Sequence, residues 1–279
     1  MKPKIHSVSI LRRTAYLIPI AALGLSLRAH SAVTITSSWS LGEGATLGED
    51  SSSANDGETN HINNTAGTTV LTASPSGVAG STAYAHTSGA NFQGLWMFGA
   101  GSDNQTVPAD NWGVQFMVRS TATVGIAGTG AFRAVYGMLD APAGGLVIEA
   151  RRHSDGNVYW DVNRSGQENL IIPRDTTTLV LDNEWTNLAL VKSGGVLNFF
   201  VDGTLAGAST GSVGSTDGLL ALGLQQGVGT SNFTGDFDEA RFFTFNPGQF
   251  NAGNDLLVPE PSAALLSGLG LLAWLRRRR

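Results

Sequence analysis

The chain has 279 residues, a formal net charge of −5 and no cysteine. The lack of cysteine excludes disulfide bridges and thiolate metal sites, so a hydrophobic core must stabilise the fold. Without the two end segments described below, the chain keeps eight basic and 21 acidic side chains, a net charge of −13, which argues against nucleic acid or anionic lipid as a partner.

The first 31 residues have the three parts of a secretory signal peptide. Basic residues precede an apolar stretch from Ala15 to Leu27, and small residues follow it. Ser31 and Ala32 are the expected cleavage positions, so residues 1–31 are predicted to be removed on export. The folded part of the protein then lies outside the cytoplasm.

A polar segment, residues 42–69, is predicted to form a long surface loop or an irregular edge, because it has few side chains able to fill a core. Asp50 and Asp56 lie close together in it, and carboxylate oxygens in a flexible loop can bind calcium. The spacing is not that of an EF-hand, and solvated loop acids are the favoured interpretation.

Short apolar runs separated by turn residues fill the middle of the chain. From Trp112 onward, apolar residues alternate with the others at a period of two, which predicts a strand. Further apolar runs cover Phe132 to Leu139 and Leu146 to Arg152. A second alternating stretch begins at Val158, and Asp155-Gly156 before it is predicted to be a hairpin turn.

The clearest hairpins lie between Trp185 and Ala208. Two strands, Trp185 to Lys192 and Val196 to Val201, flank a Ser-Gly-Gly turn, and Asp202-Gly203 then gives a two-residue turn that needs positive φ at both positions. An apolar run, Leu219 to Leu224, and a strand from Phe233 to Phe245 follow. The last strand is apolar on both faces and is expected in the middle of a layered sheet.

The frequent turns and the lack of helical periodicity predict an all-β protein, a sandwich of two antiparallel sheets. The strands at Trp185–Val191, Leu197–Gly203 and Gly235–Phe243 resemble the signature strands of the laminin G-like, concanavalin A-like jelly roll. The resemblance implies a domain over residues 32–250, with residues 251–257 as a linker. It also implies a family that contains both binders and enzymes, so fold alone does not decide function.

Catalysis is not expected from the residues. The segment from Asp236 to Ala240 resembles the acidic motif of glycoside hydrolase family 16 only superficially. Glu239 directly follows Asp238, which is expected to point it to the opposite face of the strand, and the closing glutamate is absent. Asp238 is expected to have a structural role. The zinc-protease motif H-E-x-x-H does not occur.

Carbohydrate binding is the preferred function, because jelly rolls of this kind hold sugars with aromatic rings and amide hydrogen bonds. Tyr159 is the best candidate for a stacking ring, since it lies on the polar side of its strand, with Asn157 and Asn163 as hydrogen-bonding partners. Calcium is a possible cofactor. The alternative interpretation of each residue is ordinary packing in the core or on the sheet.

The chain ends with a tripeptide, an apolar run from Ala263 to Leu275, and four basic residues. As a helix, the apolar run spans roughly 20 Å, which is short of a hydrocarbon layer of about 30 Å. The basic residues are expected to stay on the cytoplasmic side. The tripeptide is Pro259, Glu260 and Pro261, and the basic residues are Arg276, Arg277, Arg278 and Arg279.

This order of parts in residues 258–279 resembles the PEP-CTERM sorting signal of Gram-negative bacteria. The resemblance implies recognition by an exosortase, a membrane transpeptidase-like enzyme that removes the tail near the tripeptide, and therefore only a transient membrane anchor. A short tail anchor without processing is the alternative.

Together these features predict an exported surface or matrix protein that binds extracellular polysaccharide or a surface protein. A divergent glycoside hydrolase and a purely structural surface component are the alternative functions.

Overall fold

The computed structural model describes residues 33–39, 41, 62–64, 68–72, 81, 83–88, 95–97, 105–121, 126, 128, 132–139, 146–164, 179–210, 217–223 and 232–257. The predicted signal peptide, the acids Asp50 and Asp56, and the predicted sorting signal lie outside these ranges. Within them, no helix has the length and apolar character needed to cross a bilayer.

The described residues form strands and one short helix. Their bounds in chain order are β1 (Val33–Trp39), β2 (Ile62–Asn64), β3 (Thr68–Thr72), β4 (Ala83–Ser88), β5 (Leu95–Met97), β6 (Gln105–Thr106), β7 (Trp112–Ser120), β8 (Phe132–Leu139), β9 (Leu146–Arg152), β10 (Val158–Arg164), β11 (Trp185–Ser193), β12 (Val196–Val201), β13 (Thr204–Ser209), β14 (Asp217–Leu222), β15 (Thr234–Phe245) and α1 (Ala252–Asp255).

The strands form two antiparallel sheets. The eight-stranded sheet has the order β13-β12-β11-β7-β15-β4-β3, and β1 also pairs with β15. The seven-stranded sheet has the order β10-β9-β8-β14-β5-β2, and β6 also pairs with β14. The prediction that the last strand lies inside a layered sheet is confirmed, since β15 pairs with β1, β4 and β7.

The core lies between the two sheets. Alternate residues of β7 and β15 face alternate residues of β9 and β10, and they form one buried apolar cluster. A row of rings connects the layers: Trp160 is 6.1 Å from Phe233, which is 5.6 Å from Phe237, which is 6.3 Å from Phe116. The fold is therefore the predicted all-β sandwich.

The predicted tight turns form with the expected backbone. Asp202 and Gly203, between β12 and β13, have φ of 49° and 73°. Gly194 and Gly195, between β11 and β12, have φ of 57° and 79°. Positive φ at both central residues matches the right-handed twist of the flanking strands, and glycine allows it at little steric cost.

The outer face of the eight-stranded sheet carries a second, smaller apolar cluster. Phe243 and Phe245 of β15 pack there with Phe250, whose ring centroid lies 6.2 Å and 5.2 Å from theirs. Leu256, which follows α1, is buried in the same cluster. Residues 251–257, predicted from sequence to be a linker, therefore pack on this sheet.

Strand β15 contains a β-bulge, which the sequence analysis did not anticipate. Glu239 has φ of 47°, and the pairing with β7 shifts between Asp238 and Arg241. Phe237 and Ala240 both join the core, so the alternation moves by one residue at the bulge. Glu239 is therefore not bound to face away from Asp238, as the unbroken alternation expected from the sequence would require.

Candidate functional site

The outer face of the seven-stranded sheet concentrates charged and amide side chains. Ile148 and Ala150 of β9, and Trp160 and Val162 of β10, point into the core. Because neighbouring residues of a strand point to opposite faces, the residues between them line the outer face. We call this set the polar face: Glu149, Arg151, Tyr159, Asp161 and Asn163, with His153 at the start of the connecting turn.

Two buried carboxylates lie side by side at the centre of the polar face. Asp161 and Glu149 are direct cross-strand partners and are 4% and 1% exposed. The Nε of Arg151 donates to Glu149 Oε1 at 2.5 Å and lies 3.8 Å from Asp161 Oδ2. His153 Nε2 is 2.9 Å from the same Asp161 oxygen. Buried charges are stable only when paired, and this network supplies the partners.

The environment of Glu149 shifts the pKa of its carboxyl upward. Burial raises the pKa of the Glu149 carboxyl, and the nearby Asp161 charge adds to the rise. The hydrogen bonds and charge of Arg151, and a hydrogen bond from Asn163, act in the opposite direction. Burial is the dominant cause of this upward shift.

The β9–β10 turn forms a compact polar tip beside the network. Asp155 Oδ1 accepts from the Asn157 backbone N–H at 2.9 Å, and Asp155 Oδ2 accepts from the Tyr159 hydroxyl at 2.7 Å. These hydrogen bonds lower the pKa of Asp155, with the Tyr159 hydroxyl as the largest cause, and they raise the pKa of Tyr159. Asp155 is thus held ionised, with Asn157 exposed next to it.

The three sequence-predicted ligand residues all lie on this face or its tip. Asn157 is exposed, and its Nδ2 lies 3.4 Å from the Tyr159 hydroxyl. Asn163 is half-buried beside Glu149. Tyr159 is only 7% exposed, and its ring packs 4.9 Å from that of His153. The Tyr159 ring therefore supports the tip and is not open for stacking, unlike the role predicted from its place on the polar side of the strand.

Glu149, Arg151 and Asp161 were not among the sequence-predicted site residues. Charged side chains on the outer side of a strand usually contact water, so they give no local signal of a buried network. A two-residue turn at Asp155-Gly156 would pair residue 150 with residue 161, whereas the observed turn is centred on Asp155 and pairs residue 149 with residue 161. The network of two acids and an arginine on paired strands therefore follows only from the observed register.

A second charged cluster lies on the eight-stranded sheet. Asp236 is 1% exposed; its Oδ2 accepts from Arg119 at 2.7 Å, and its Oδ1 lies 2.7 Å from His86 Nδ1. The Arg119 guanidinium lies 5.0 Å from the Tyr84 ring and 4.8 Å from the Trp185 ring. Every charge here has a close partner, so the cluster has a structural role.

The predicted structural use of Asp238 agrees with its contacts. Asp238 Oδ2 accepts from the Ser81 hydroxyl at 2.5 Å, and Oδ1 accepts from the Glu239 backbone N–H at 2.9 Å.

The sequence also contains a G-x-S-x-G spacing at Gly207, Ser209 and Gly211. A nucleophile elbow places its serine at a strand-to-helix turn; Ser209 is the last residue of β13 and forms the terminal pair with Leu197 in an antiparallel ladder.

The described residues offer little to a metal ion. Among them, no group of three or more His, Asp or Glu side chains is placed to hold one. The predicted calcium ligands Asp50 and Asp56 lie outside the described ranges.

Comparison with known families agrees with this fold. The profile of the concanavalin A-like lectin/glucanases superfamily, in its laminin G-like form, matches residues 101–246. The chain belongs to this superfamily. The match runs from just before β6 to just after β15, so it includes the whole polar face and confirms the sequence-based resemblance. No curated protein matches this chain.

Solved structures support the same fold at low sequence identity. Domain 4 of a GH43 extracellular arabinanase from Geobacillus stearothermophilus, in complex with arabinotriose, matches with a TM-score of 0.51 and 18% identity, over 78% of this chain and 97% of that one. The binding domain of Paraclostridial Mosquitocidal Protein 1 has a TM-score of 0.53 and 12% identity, over 79% and 51%. The enzymatically active domain of bacteriophage CBA120 tailspike protein 2 has a TM-score of 0.52 and 10% identity, over 70% and 30%.

The end of the chain matches a second family profile. Residues 257–279 match the PEP-CTERM protein-sorting motif, which confirms the resemblance drawn from the tripeptide, apolar run and arginines. The motif implies export and processing by an exosortase. The concanavalin A-like match therefore ends ten residues before the sorting motif begins.

Proposed function

We propose that this exported protein binds extracellular carbohydrate through the polar face of its seven-stranded sheet and that an exosortase places it at the cell surface or in the extracellular matrix of a Gram-negative bacterium. The observation that carries the proposal is the arrangement of Asn157, Arg151 and Asn163. These partly or fully exposed hydrogen-bonding groups lie above or beside a buried ionic network.

The buried ionic network supports binding because it holds the Arg151 side chain in a fixed position. Arg151 is held by Glu149 at 2.5 Å, and its guanidinium lies 5.0 Å from the ring of Phe132. The Arg151 side chain is nevertheless 22% exposed, so a ligand can reach it. A guanidinium and amides in fixed positions can bind sugar hydroxyls with little loss of side-chain entropy.

Carbohydrate is favoured over a protein partner for two reasons. The first is chemical, since amide and guanidinium groups beside carboxylates supply both donors and acceptors for hydroxyls. The second is the fold, which is shared with an arabinanase domain whose structure contains arabinotriose. The polar face relies on hydrogen bonding, because the Tyr159 ring is buried.

A glycan array tests the class of ligand. The processed protein is applied with and without a calcium chelator, together with Asn157→Ala and a control, Asn254→Ala, whose exposed amide lies on α1 at the other sheet. Binding of at least one saccharide, weakened by Asn157→Ala and unchanged by Asn254→Ala, is expected. A lack of binding to every saccharide on the array contradicts the proposal. Binding that is lost when the chelator is added assigns a role to calcium.

Hydrolysis is the second candidate, because Asp161 and Glu149 form a carboxylate pair in which burial raises the pKa of one member. With exposures of 1% and 4%, both acids are poorly placed to reach a substrate, which favours binding without catalysis. Release of reducing sugar by the purified protein, abolished by Glu149→Gln, is the result that would replace the binding proposal with a hydrolase.

A further inference from the structure

The end of the folded domain is held on the eight-stranded sheet by an unusual use of one side chain. Gln115 Nε2 donates to the Leu257 carbonyl at 2.7 Å, and Gln115 Oε1 accepts from the Leu257 N–H at 3.1 Å. One amide thus satisfies both backbone groups of Leu257, as a neighbouring strand would. Residue 257 is therefore fixed to the sheet by its main chain.

The surrounding residues hold this amide in place. Gln115 is fully buried; it also donates to Asn187 Oδ1 at 2.8 Å and accepts from Arg241 Nε at 2.8 Å. Arg241 in turn donates to the carbonyl of Asp255. Burial lowers the pKa of Arg241 to about 10, so the guanidinium stays charged at neutral pH.

The attachment point lies near the centre of the sheet. Gln115 lies near the middle of β7, and β7 is the central strand of the order that runs from β13 to β3. The described chain therefore ends over the middle of the outer face. On the opposite side of the sandwich lies the polar face.

The sorting signal begins almost at once after this point. Val258 alone separates Leu257 from Pro259, so the Cα atom of Pro259 lies within about 7 Å of that of Leu257. An enzyme that acts on the tripeptide must therefore approach the outer face of the eight-stranded sheet.

We propose that this outer face, around α1 and Leu257, is the surface that contacts the exosortase, so that the polar face points away from the enzyme and the membrane during sorting. The inference rests on the sorting part of the proposed function. It does not depend on which ligand the polar face binds.

Crosslinking from single cysteines tests the contact, because the chain has no cysteine of its own. The full-length protein is produced with a catalytically inactive exosortase and labelled with a photoreactive maleimide. Gln249→Cys and Asn254→Cys place the probe at exposed positions beside the proposed surface, and Ser154→Cys places it at an exposed position of the β9–β10 turn. Ser262→Cys lies within the sorting motif and reports on recognition itself.

Crosslinks to the exosortase are expected from residues 249, 254 and 262 and not from residue 154. If residue 262 crosslinks but 249 and 254 do not, or if 154 crosslinks equally well, the contact surface is wrong and the sorting proposal survives. If residue 262 does not crosslink, the sorting part of the proposed function is wrong, and this inference fails with it.

A spacer variant tests whether the outer face contacts the exosortase because Leu257 lies so close to the sorting signal. Ten Gly and Ser residues inserted between Leu257 and Val258 add up to about 35 Å of reach and leave the contacts of Gln115 intact. We expect the crosslink from residue 254 to be lost and that from residue 262 to remain. If the crosslink from residue 254 persists, the short connection between Leu257 and the sorting signal is not what brings the outer face to the exosortase.

Discussion

Gly235 occupies a position in β15 where no side chain fits. A Cβ atom there would lie 2.3 Å from Phe233 Cε1 and 2.4 Å from the carbonyl oxygen of Arg119. We expect Gly235→Ala to lower the free energy of unfolding by about 1–3 kcal/mol, measured by urea denaturation. Gly253→Ala is the control, because its nearest contact is at 3.5 Å; equal stability of the two variants would contradict the packing described here.

Glu149 should give stability a dependence on pH. Its folded pKa is raised above the model-peptide value of 4.5, so the folded protein holds this proton more tightly than the unfolded chain. Its stabilising contribution is therefore complete below about pH 4.5 and is lost as the pH rises through the folded pKa.

Glu149→Gln removes that dependence. Relative to wild type, the variant is expected to gain free energy of unfolding as the pH rises from 4.5 toward neutral. Urea denaturation across this range measures the difference, with the exposed Glu184→Gln as the control. A constant difference between Glu149→Gln and wild type would show that burial does not govern this carboxyl.

At the scale of elements, the β12–β13 turn is the best case of structure dictated by local sequence. Asp-Gly supplies two residues with positive φ, and the strands on either side alternate correctly. Gly203→Ala, at φ of 73°, is expected to cost about 1 kcal/mol because an L side chain is strained there. Thermal denaturation measures the cost, and an unchanged midpoint would contradict the assigned turn.

The elements that sequence reasoning missed depend on distant contacts. The bulge at Glu239 needs positive φ at a residue with a side chain, which no local signal indicates. Residues 251–257 resemble a linker because they contain small and polar residues. Leu256 finds its apolar partners, and the main chain of Leu257 its hydrogen-bonding partner, only once the sheet has brought Phe243 and Gln115 into place.

Docking of this segment has a direct energetic consequence. Leu256 is buried among Ala189, Phe243 and Phe245, so Leu256→Ala is expected to cost about 2–5 kcal/mol. The matched control is Asn254→Ala, which alters an exposed side chain of the same segment. If urea denaturation gives the same stability for both variants, residues 251–257 do not stabilise the sandwich.

For the whole molecule, sequence patterns predicted the class of fold and the sorting signal well. Both predictions rest on local properties of the sequence: the alternation of apolar and polar residues and the turn residues for the fold, and the composition of the last residues for the sorting signal. The polar face was anticipated only in part: Asn157 and Asn163 lie on it or at its tip, and their role as ligand-binding residues stays a prediction, whereas the Tyr159 ring is buried. The buried pair Glu149 and Asp161 emerges only from the cross-strand register.

Under the two proposals made above, the two sheets have different roles in one sandwich. The eight-stranded sheet holds the chain end that leads into the sorting signal, and the seven-stranded sheet carries the polar face. A protein attached through one face would present the other to its surroundings.

The most direct test of this account is a calorimetric titration of the processed protein with arabinotriose and with the saccharides retained on the array. Asn163→Ala is expected to raise the Kd about fivefold, the effect of losing one hydrogen bond of about 1 kcal/mol, and Asn254→Ala is expected to leave it unchanged. Equal Kd values for Asn163→Ala, Asn254→Ala and the wild type, or no heat of binding with any saccharide, would contradict the assignment of the polar face as a carbohydrate site.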